Sequence, residues 1–424
     1  MYKEAQFLTK RNLFLFFSFF SAYAGYFLAN RLLFVLGLTC LFIVLSSWFA
    51  SRRMLGGLTV KRKHYPRTFE DEMLRVSLRI EKSHPVPAYM TEITDTFPAG
   101  DRYWVRTLVP ERMDESSRIH LEYRSQCTHR RGVYVLGPVK IEGSDPLGIF
   151  RRTRELSEIT NLLIYPQAAD LEFFEVLGDG TLMQVGLETV MRSGHSEEFT
   201  GLREYHPGDN PKRVHWPSTA RHDKLLVKKF REEVTTEVTL LMDMHRLSLS
   251  GIGDVTSVEY IIKAAAAVSR KAIEKSHLVQ MVSIGEKTVH IPSGGGQGHL
   301  LTILDQLTYL RPRGEGIFED GLKKWVPMLK AGSTAVIISG ATNVHPDQIS
   351  PVIRYLLGRN IRVIMILIDD ASFIKVYKDQ EITRKMAIPL DKLKDMLSRE
   401  GCSLYIAGKG EDVAVKLQTP VIES

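Results

Sequence analysis

The sequence predicts a membrane-anchored multidomain protein: two transmembrane helices, a small β-sandwich, then a doubly wound α/β domain. Three observations carry this reading. Residues 12–28 and 32–50 are apolar runs without a single charge, separated by three residues. Between residues 58 and 165, short alternating runs are cut by prolines and glycines, and no long helical period appears. From residue 231 onward, near-continuous apolar runs alternate with segments whose apolar residues recur every three or four positions.

The first element is the membrane hairpin, assigned to residues 1–57. Each apolar run approaches the ~20 residues that a helix needs to cross a bilayer. A secretory signal peptide is the competing reading of the first run. Against it, a second full-length run follows after only Ala29-Asn30-Arg31, with no clean small-x-small cleavage site between them. So short a link places both ends of the hairpin on one side. Lys3, Lys10 and Arg11 precede it, Arg52, Arg53, Lys61, Arg62 and Lys63 follow it, and only Arg31 lies in the link. The positive-inside rule then puts the N-terminus and everything after Arg52 in the cytoplasm. Tyr23, Tyr26 and Trp48 are placed for interfacial belts.

Residues 58–165 read as the β-sandwich. Val76, Leu78 and Ile80 alternate with Ser77, Arg79 and Glu81, as a strand with one buried face requires. Ile119, Leu121 and Tyr123 repeat the pattern, as do Val133 and Val135 with their flanking glycines. Asp145, before Pro146, reads as a turn starter rather than a catalytic acid. This domain is expected to make contacts and perform no chemistry.

Residues 166–230 form a connector built around Phe199 to Val227. That stretch sets Arg203, Lys212, Arg213, Arg221 and Lys224 around Glu204, Asp209 and Asp223, with Tyr205 and Trp216 interleaved and a Pro207-Gly208-Asp209 turn inside it. It is too charged for a core and too rich in turn formers for a plain solvated helix. It predicts a polar loop wedged between two domains, its arginines held in forks by carboxylates and its Tyr and Trp anchoring the apolar side. Just upstream, His195 and Ser196 are chain neighbours, which is no nucleophile arrangement, and no G-x-S-x-G elbow exists.

In residues 231–424, Val238 to Met242 reads as a buried strand ending at Asp243, followed by a helix burying Val258, Ile261, Ile262, Ala265, Val268 and Ala272. Leu278 to Ile284, Ala335 to Ile338 and Ile361 to Ile368 are further strand candidates. Helices near 300–310, 321–329, 347–357 and 391–399 fall between and after them. That alternation is the signature of the doubly wound sheet.

The connector resembles the bacterial family called "domain of unknown function 58". The family's hallmark runs G-x-R-x-Y-x-x-G-D-x-x-R-x-x-x-W-x-x-S/T-A-R; here it is Gly201, Arg203, Tyr205, Gly208, Asp209, Arg213, Trp216, Thr219, Ala220 and Arg221. Upstream, Arg131 to Pro138 and Asp145 to Phe150 look like the R-G-x-Y-x-L-G-P and D-P-L/F-G-L-F segments of the same family. The resemblance implies that the C-terminal domain is similar to a von Willebrand factor A domain. Such domains hold Mg²⁺ through D-x-S-x-S, a Thr and a T-D-G loop. This chain has Asp243-Met244-His245-Arg246-Leu247 in the first loop, Arg313 to Ile317 near the Thr, and Ile338-Ser339-Gly340 where T-D-G would fall. Asp243 alone matches. Mg²⁺ requires an octahedral oxygen shell, so Asp243, His245 and Ser339 are expected to line the crevice at the strand ends without a metal.

Other chemical signals are weaker. The glycine run 294–298 lacks the Lys-Ser/Thr of a phosphate-binding loop and predicts a flexible surface connection. His206, His215 and His222 lack the partners of a zinc set, and the basic run 228–231 reads as a solvated strand edge. No nucleic-acid-binding module is recognisable, and no cofactor motif stands out. The formal charge of +7 suggests an acidic partner or a membrane surface. Cys40, Cys127 and Cys402 lie far apart, which argues against disulfides and fits a reducing compartment.

The function expected is therefore a membrane-anchored cytoplasmic scaffold, not an enzyme. Family resemblance implies a MoxR-type AAA+ ATPase as partner, with Arg203, Asp209, Arg213, Trp216 and Arg221 carrying the contact or clasping the two soluble domains. A hydrolase or transferase using Asp209 with His206 or His215 is the alternative from another class, and a Mg²⁺-dependent adhesion-type domain is a third.

Overall fold

The computed structural model describes residues 10–172, 174, 198–206, 211, 214–222, 224–231, 236–253, 255–373 and 390–422. The chain divides into two compact units, Met1–Gln167 and Ala168–Ser424.

The first unit opens with helices α1 (Lys10–Phe27) and α2 (Arg31–Arg53). They pack antiparallel across a three-residue link, in which the side chain of Asn30 caps α2, accepting from the backbone N–H groups of Leu32 and Leu33 at 3.1 and 3.3 Å. Their seam is made of small residues. Ser18 Oγ donates to the Gly37 carbonyl at 2.7 Å, and Ser21 Oγ to the Leu33 carbonyl at 3.0 Å. A Cβ on Gly25 would lie 2.3 Å from the Phe34 nitrogen, and one on Gly37 would lie 2.5 Å from the Ala22 nitrogen. The large side chains point away, with Phe16, Tyr26, Leu32 and Phe42 all at least 70% exposed. Water-soluble helix pairs do the reverse; lipid-embedded pairs pack this way. By length and composition, one described helix is apolar enough to cross a membrane, namely α2. Helix α1 has 18 residues and begins with Lys10 and Arg11.

Ten strands follow: β1 (Leu58–His64), β2 (Arg67–Phe69), β3 (Met73–Lys82), β4 (Tyr89–Thr96), β5 (Trp104–Val109), β6 (Arg118–Gln126), β7 (Gly132–Leu136), β8 (Val139–Ser144), β9 (Arg151–Leu156) and β10 (Thr160–Tyr165). They form three sheets in the orders β1-β3-β6, β2-β10-β7 and β5-β4-β8-β9. All pairings are antiparallel except β2 with β10. Alternation on β3 buries Leu74, Val76, Leu78 and Ile80 against Ile93, Ile141, Leu162 and Ile164, giving a sandwich-like core. The reading of β7 was one residue out of register. Val133 and Val135 are about half exposed, while Gly132 and Leu136 are buried. A one-residue slip reverses the faces: Tyr134 packs against the core, with its hydroxyl donating to the Arg130 carbonyl at 2.6 Å.

At the centre of this unit sits a buried ion pair. The Arg62 guanidinium donates to both carboxylate oxygens of Asp95, and its Nη1 also donates to the Leu136 and Glu158 carbonyls at 3.0 and 2.9 Å. The Tyr123 hydroxyl donates to Asp95 Oδ2 at 2.7 Å, and burial with the neighbouring carboxylate raises its pKa. Arg62 thus ties β1, β4, the end of β7 and the approach to β10. A Cβ on Gly137 would lie 2.1 Å from the Glu158 carbonyl and about 3 Å from the guanidinium, so a bare backbone is needed there.

In the second unit, β11 (Glu198–Glu204) pairs antiparallel with β12 (Leu226–Arg231) around the short helix α3 (Trp216–His222). Next come β13 (Glu237–Asp243), a two-residue ribbon of β14 (Gly251–Ile252) and β15 (Val255–Thr256), helix α4 (Ser257–Glu274), β16 (Leu278–Ile284), β17 (Val289–Gly294) and α5 (Gly296–Tyr309). Helix α6 (Phe318–Trp325), β18 (Thr334–Gly340), α7 (Pro346–Gly358), β19 (Arg362–Asp369), a helix at Leu390–Glu400, β20 (Ser403–Gly408) and a short helix at Val413–Lys416 complete it.

The main sheet has the order β17-β16-β13-β18-β19-β20, parallel throughout except for the β17 edge. Numbered along the chain, that is 3-2-1-4-5-6, the doubly wound order whose switch point lies between the first and fourth strands. Helix α4 buries each of the six residues that its spacing picks out. The glycine run is not a loose connection: β17 extends to Gly294 and α5 begins at Gly296, which takes φ +79°.

Cys127 in the first unit is buried, and burial pushes its thiol up to about 11. Asp95→Leu leaves the Arg62 guanidinium buried without its partner, a change that costs about 3–5 kcal/mol. The variant is expected to expose Cys127 to alkylation at denaturant concentrations where the wild type is still protected. Adding Arg62→Met to Asp95→Leu is expected to recover part of the loss.

Candidate functional site

The carboxyl ends of β13 and β18, at the switch point of the main sheet, bring together the crevice residues predicted from sequence. Asp243 ends β13 and is fully buried; Ser339 lies near the end of β18, and His245 follows β13 by two residues. Asp243 Oδ1 accepts from the His245 backbone N–H at 3.0 Å and lies 2.9 Å from His245 Nδ1. Its Oδ2 accepts from Ser339 Oγ at 2.9 Å, from Ser248 Oγ and from Asn343 Nδ2. Asn343 Nδ2 also donates to Ser248 Oγ at 3.1 Å. The loop expected near the crevice is there too, with Arg313 N–H donating to the Met244 carbonyl and Arg246 N–H to the Gly314 carbonyl, both at 2.9 Å. Gly316 abuts the imidazole, since a Cβ there would lie 2.8 Å from His245 Nε2.

Five donors therefore converge on one carboxylate. Two of them are nitrogens of His245 and one is an amide nitrogen, so N–H groups occupy much of the space beside the oxygens. A Mg²⁺ ion requires oxygen lone pairs in that space, and this donor set does not fit it. Among the described residues no group of three or more His, Cys, Asp or Glu is placed to hold a metal. What the cluster can do is lock: it fastens the turn after β13 to the end of β18 and the turn beyond it.

Two further buried carboxylates lie nearby in the same unit, and sequence reasoning missed both. Asp370, just after β19, accepts from the Thr342 backbone N–H at 3.1 Å and from its hydroxyl, while burial raises its pKa. Glu319, in the first turn of α6, accepts from the His345 N–H at 2.6 Å. Its Oε2 has no hydrogen-bond partner among the described residues. The available signal was positional, since Ser248, Thr342, Asn343 and Asp370 all follow strand ends, where α/β sheets gather polar groups.

The hallmark maps to the β11–α3–β12 segment, with Gly208, Asp209 and Arg213 outside the described residues. Gly201 lies in β11, out of register at a bulge between Phe199 and Gly201. Helix α3 is pinned from beneath. His215 Nδ1 is 2.8 Å from Ser218 Oγ, and Thr219 Oγ1 accepts from the Leu226 N–H at 3.1 Å. Val214 bridges to Val227, and Tyr205 N–H donates to the Leu225 carbonyl at 2.9 Å.

One expectation for this segment is corrected. Trp216 is 65% exposed rather than an apolar anchor, because the helix turns His215, Ser218 and Thr219 toward its supports and leaves the Trp side outward. Glu204 pairs with Lys224 at 2.7 Å, while the expected partners Asp209, Arg213 and Asp223 lie outside the described residues. Arg203 donates to the Glu204 carbonyl at 3.2 Å and lies 3.4 Å from His206 Nδ1. Ala220 and Arg221 are exposed on α3.

With this geometry established, comparison with known proteins places both clusters inside one family match. Residues 201–359 match the family described as "Protein of unknown function DUF58". That range begins in the hallmark and includes Asp243, Ser339 and Asn343. The chain is 24% identical over 242 residues to "Uncharacterized protein YeaD" of Bacillus subtilis (strain 168), an alignment covering 56% of this chain and 58% of the relative. The match thus spans less than two thirds of that protein. Among solved structures, an aerotolerance-related membrane protein from Bacteroides fragilis NCTC 9343 aligns at 13% identity and a TM-score of 0.33, covering 43% of this chain and 95% of that one. The CARDB domain of the PF1109 protein from Pyrococcus furiosus aligns at 12% identity and a TM-score of 0.19, covering 25% and 86%.

Asp243→Ala leaves several buried donors unmatched, each worth about 1–3 kcal/mol. The variant is expected to melt well below the wild type in a thermal scan. Millimolar Mg²⁺ and EDTA are expected to leave the wild-type melting temperature unchanged; a rise with Mg²⁺ would show that the cluster opens to a cation.

Proposed function

We propose that the chain is a membrane-anchored scaffold rather than an enzyme. On this reading α1 and α2 cross the bilayer as a two-pass hairpin, the soluble units face the cytoplasm, and the hallmark docks a protein partner. The observation that carries it is the outward Trp216, held on a helix whose supporting contacts are all internal. An exposed tryptophan in a segment that also carries exposed arginines has the composition of an interface hot spot, and it is poorly explained by a clasp whose residues satisfy only one another. Among the described hallmark residues, Arg203 and Arg221 are also exposed in this segment. The small-residue seam of the hairpin, with its aromatic exterior, supports insertion in lipid.

The α/β unit, in our reading, is a von Willebrand factor A-like domain that has exchanged metal binding for a hydrogen-bonded lock. The 3-2-1-4-5-6 strand order, the antiparallel edge strand and the place of Asp243 support that assignment. The family resemblance suggests a MoxR-type AAA+ ATPase as the docked partner.

Crosslinking in native membranes, followed by purification of the chain and identification of an ATPase by mass spectrometry, tests this. Arg203→Ala with Trp216→Ala changes exposed side chains, so stability is expected to stay within about 0.5 kcal/mol per substitution. Wild type is expected to capture the ATPase and the folded double variant to lose it. Equal capture by both, or no ATPase with either, contradicts the docking reading.

A further inference from the structure

A cavity of about 670 Å³ opens in the first unit where the α1–α2 hairpin meets the strand β9. Its apolar side is made by Leu15 of α1 with Val44 and Leu45 of α2, and its polar side by Arg11, Arg151 and Arg152. Among the described residues, none that lines it is acidic. A second, smaller cavity of about 290 Å³ adjoins it by sharing Arg152, and adds Arg52 and Arg154, again with no acidic residue among its described lining. Arg151 and Arg152 are exposed on β9 and have no carboxylate in ion-pair contact among the described residues. Arg154 is committed elsewhere, its Nη1 donating to the Leu55 carbonyl at 2.7 Å. Arg52 is stacked over the Trp48 ring at 3.9 Å, which presents the guanidinium beside the same opening.

Basic residues on an edge strand such as β9 commonly serve only to discourage pairing with other chains. Two features point beyond that role. The arginines converge with Arg11 from a different element, and the floor beneath them is apolar and continuous with the large exposed side chains of the hairpin, Phe16 and Leu45 among them. The turn that sets the start of β9 is itself fixed to α2. The buried Asp145 carboxylate accepts from the Leu147 and Phe150 N–H groups and, at 3.1 Å, from Ser47 Oγ of α2. The cavity wall is therefore built, and does not depend on a loose loop.

We infer that this cavity is a binding site for an anionic phospholipid. The inference rests on the reading of α1–α2 as a membrane hairpin, which sets Trp48 and Arg52 at headgroup depth. Arg11, Arg151 and Arg152 hold the phosphodiester through charge-assisted hydrogen bonds, and one acyl chain lies along Leu15, Val44 and Leu45. Basic pockets at the cytoplasmic ends of membrane helices recognise anionic headgroups in this manner. Occupancy would brace the hairpin against the β-sheet unit through the lipid.

The test uses the full chain in nanodiscs of phosphatidylcholine doped with phosphatidylglycerol, with retained lipid counted by native mass spectrometry after release. Co-elution with the nanodiscs reports insertion of the hairpin separately from lipid choice. Wild type is expected to retain phosphatidylglycerol at least about tenfold over phosphatidylcholine, and Arg11→Gln/Arg151→Gln/Arg152→Gln to lose that preference. An equal change of charge elsewhere, Arg75→Gln/Arg102→Gln/Arg124→Gln, is expected to keep it. Should the first triple variant melt early, Arg151→Gln/Arg152→Gln on the exposed strand provides the same reading.

The inference is overturned if the cavity variant retains lipid like the wild type, if the control variant loses it equally, or if phosphatidylcholine is held as well as phosphatidylglycerol. Displacement of the lipid by millimolar inorganic phosphate would identify a free-phosphate site instead. Failure to co-elute with nanodiscs would overturn the hairpin reading, and the lipid site with it.

Discussion

The inverted seam of the α1–α2 hairpin constrains the rest of the account. Glycines and serines face inward and phenylalanines face outward, so the pair buries little of its apolar surface within the protein. In water the exposed rings would be costly. In lipid the outward aromatics are solvated by acyl chains, and the inward serines find carbonyls across the seam. The first unit also ties helix to sheet directly. Ser47 reaches Asp145, and Lys82 donates its ammonium to the Met54 carbonyl at 2.8 Å. Lys82 is buried, and the burial lowers its pKa. The end of α2 is thereby bonded into the β-sheet unit rather than joined to it by a free linker.

Asp243 plays the comparable role in the second unit. The topology carries its carboxylate to the switch point, the place where sheets of this order ordinarily present a ligand site. Here Ser248, Ser339, Asn343 and His245 fill the surroundings of the oxygens, and the crevice is committed to holding strand ends together. Outside that cluster, the family-matched region keeps exposed features, Trp216 among them. The same division is seen in the first unit, where the Arg62–Asp95 pair is sealed inside while Arg151 and Arg152 stay open.

Much of the fold was legible in the sequence. Apolar runs and their periods located the hairpin, β3, β13, β16, β18, β19 and the buried face of α4, because burial on one or both faces leaves a pattern in residue type. Elements at the sheet edge were not legible. β20 (Ser403–Gly408) at one edge was not among the strand candidates, and only pairing with β16 carries β17 as far as Gly294. The register of β7 was lost because Val133 and Val135 look more buried than Gly132 and Tyr134. At the candidate site, Asp243, His245 and Ser339 were found by position, whereas Asn343 and Asp370 were missed. Their partners lie roughly 30 to 100 residues away, and single-chain spacing carries no signal at that range. Trp216 was assigned to an anchor because aromatics are usually buried; which side of a seven-residue helix faces its support is a tertiary property.

The most direct test of the central claim is the side of the membrane on which each segment lies. Single cysteines at Ala29, in the link between the helices, at Tyr65 in the first unit and at Ile252 in the second can be placed in a Cys40→Ser background. Tyr65 and Ile252 are 76% and 86% exposed. Treated with an impermeant maleimide, right-side-out vesicles should label Ala29→Cys while intact, and Tyr65→Cys and Ile252→Cys only after permeabilisation. Labelling of Tyr65→Cys or Ile252→Cys in intact vesicles, or protection of Ala29→Cys, would contradict a two-pass hairpin with cytoplasmic units.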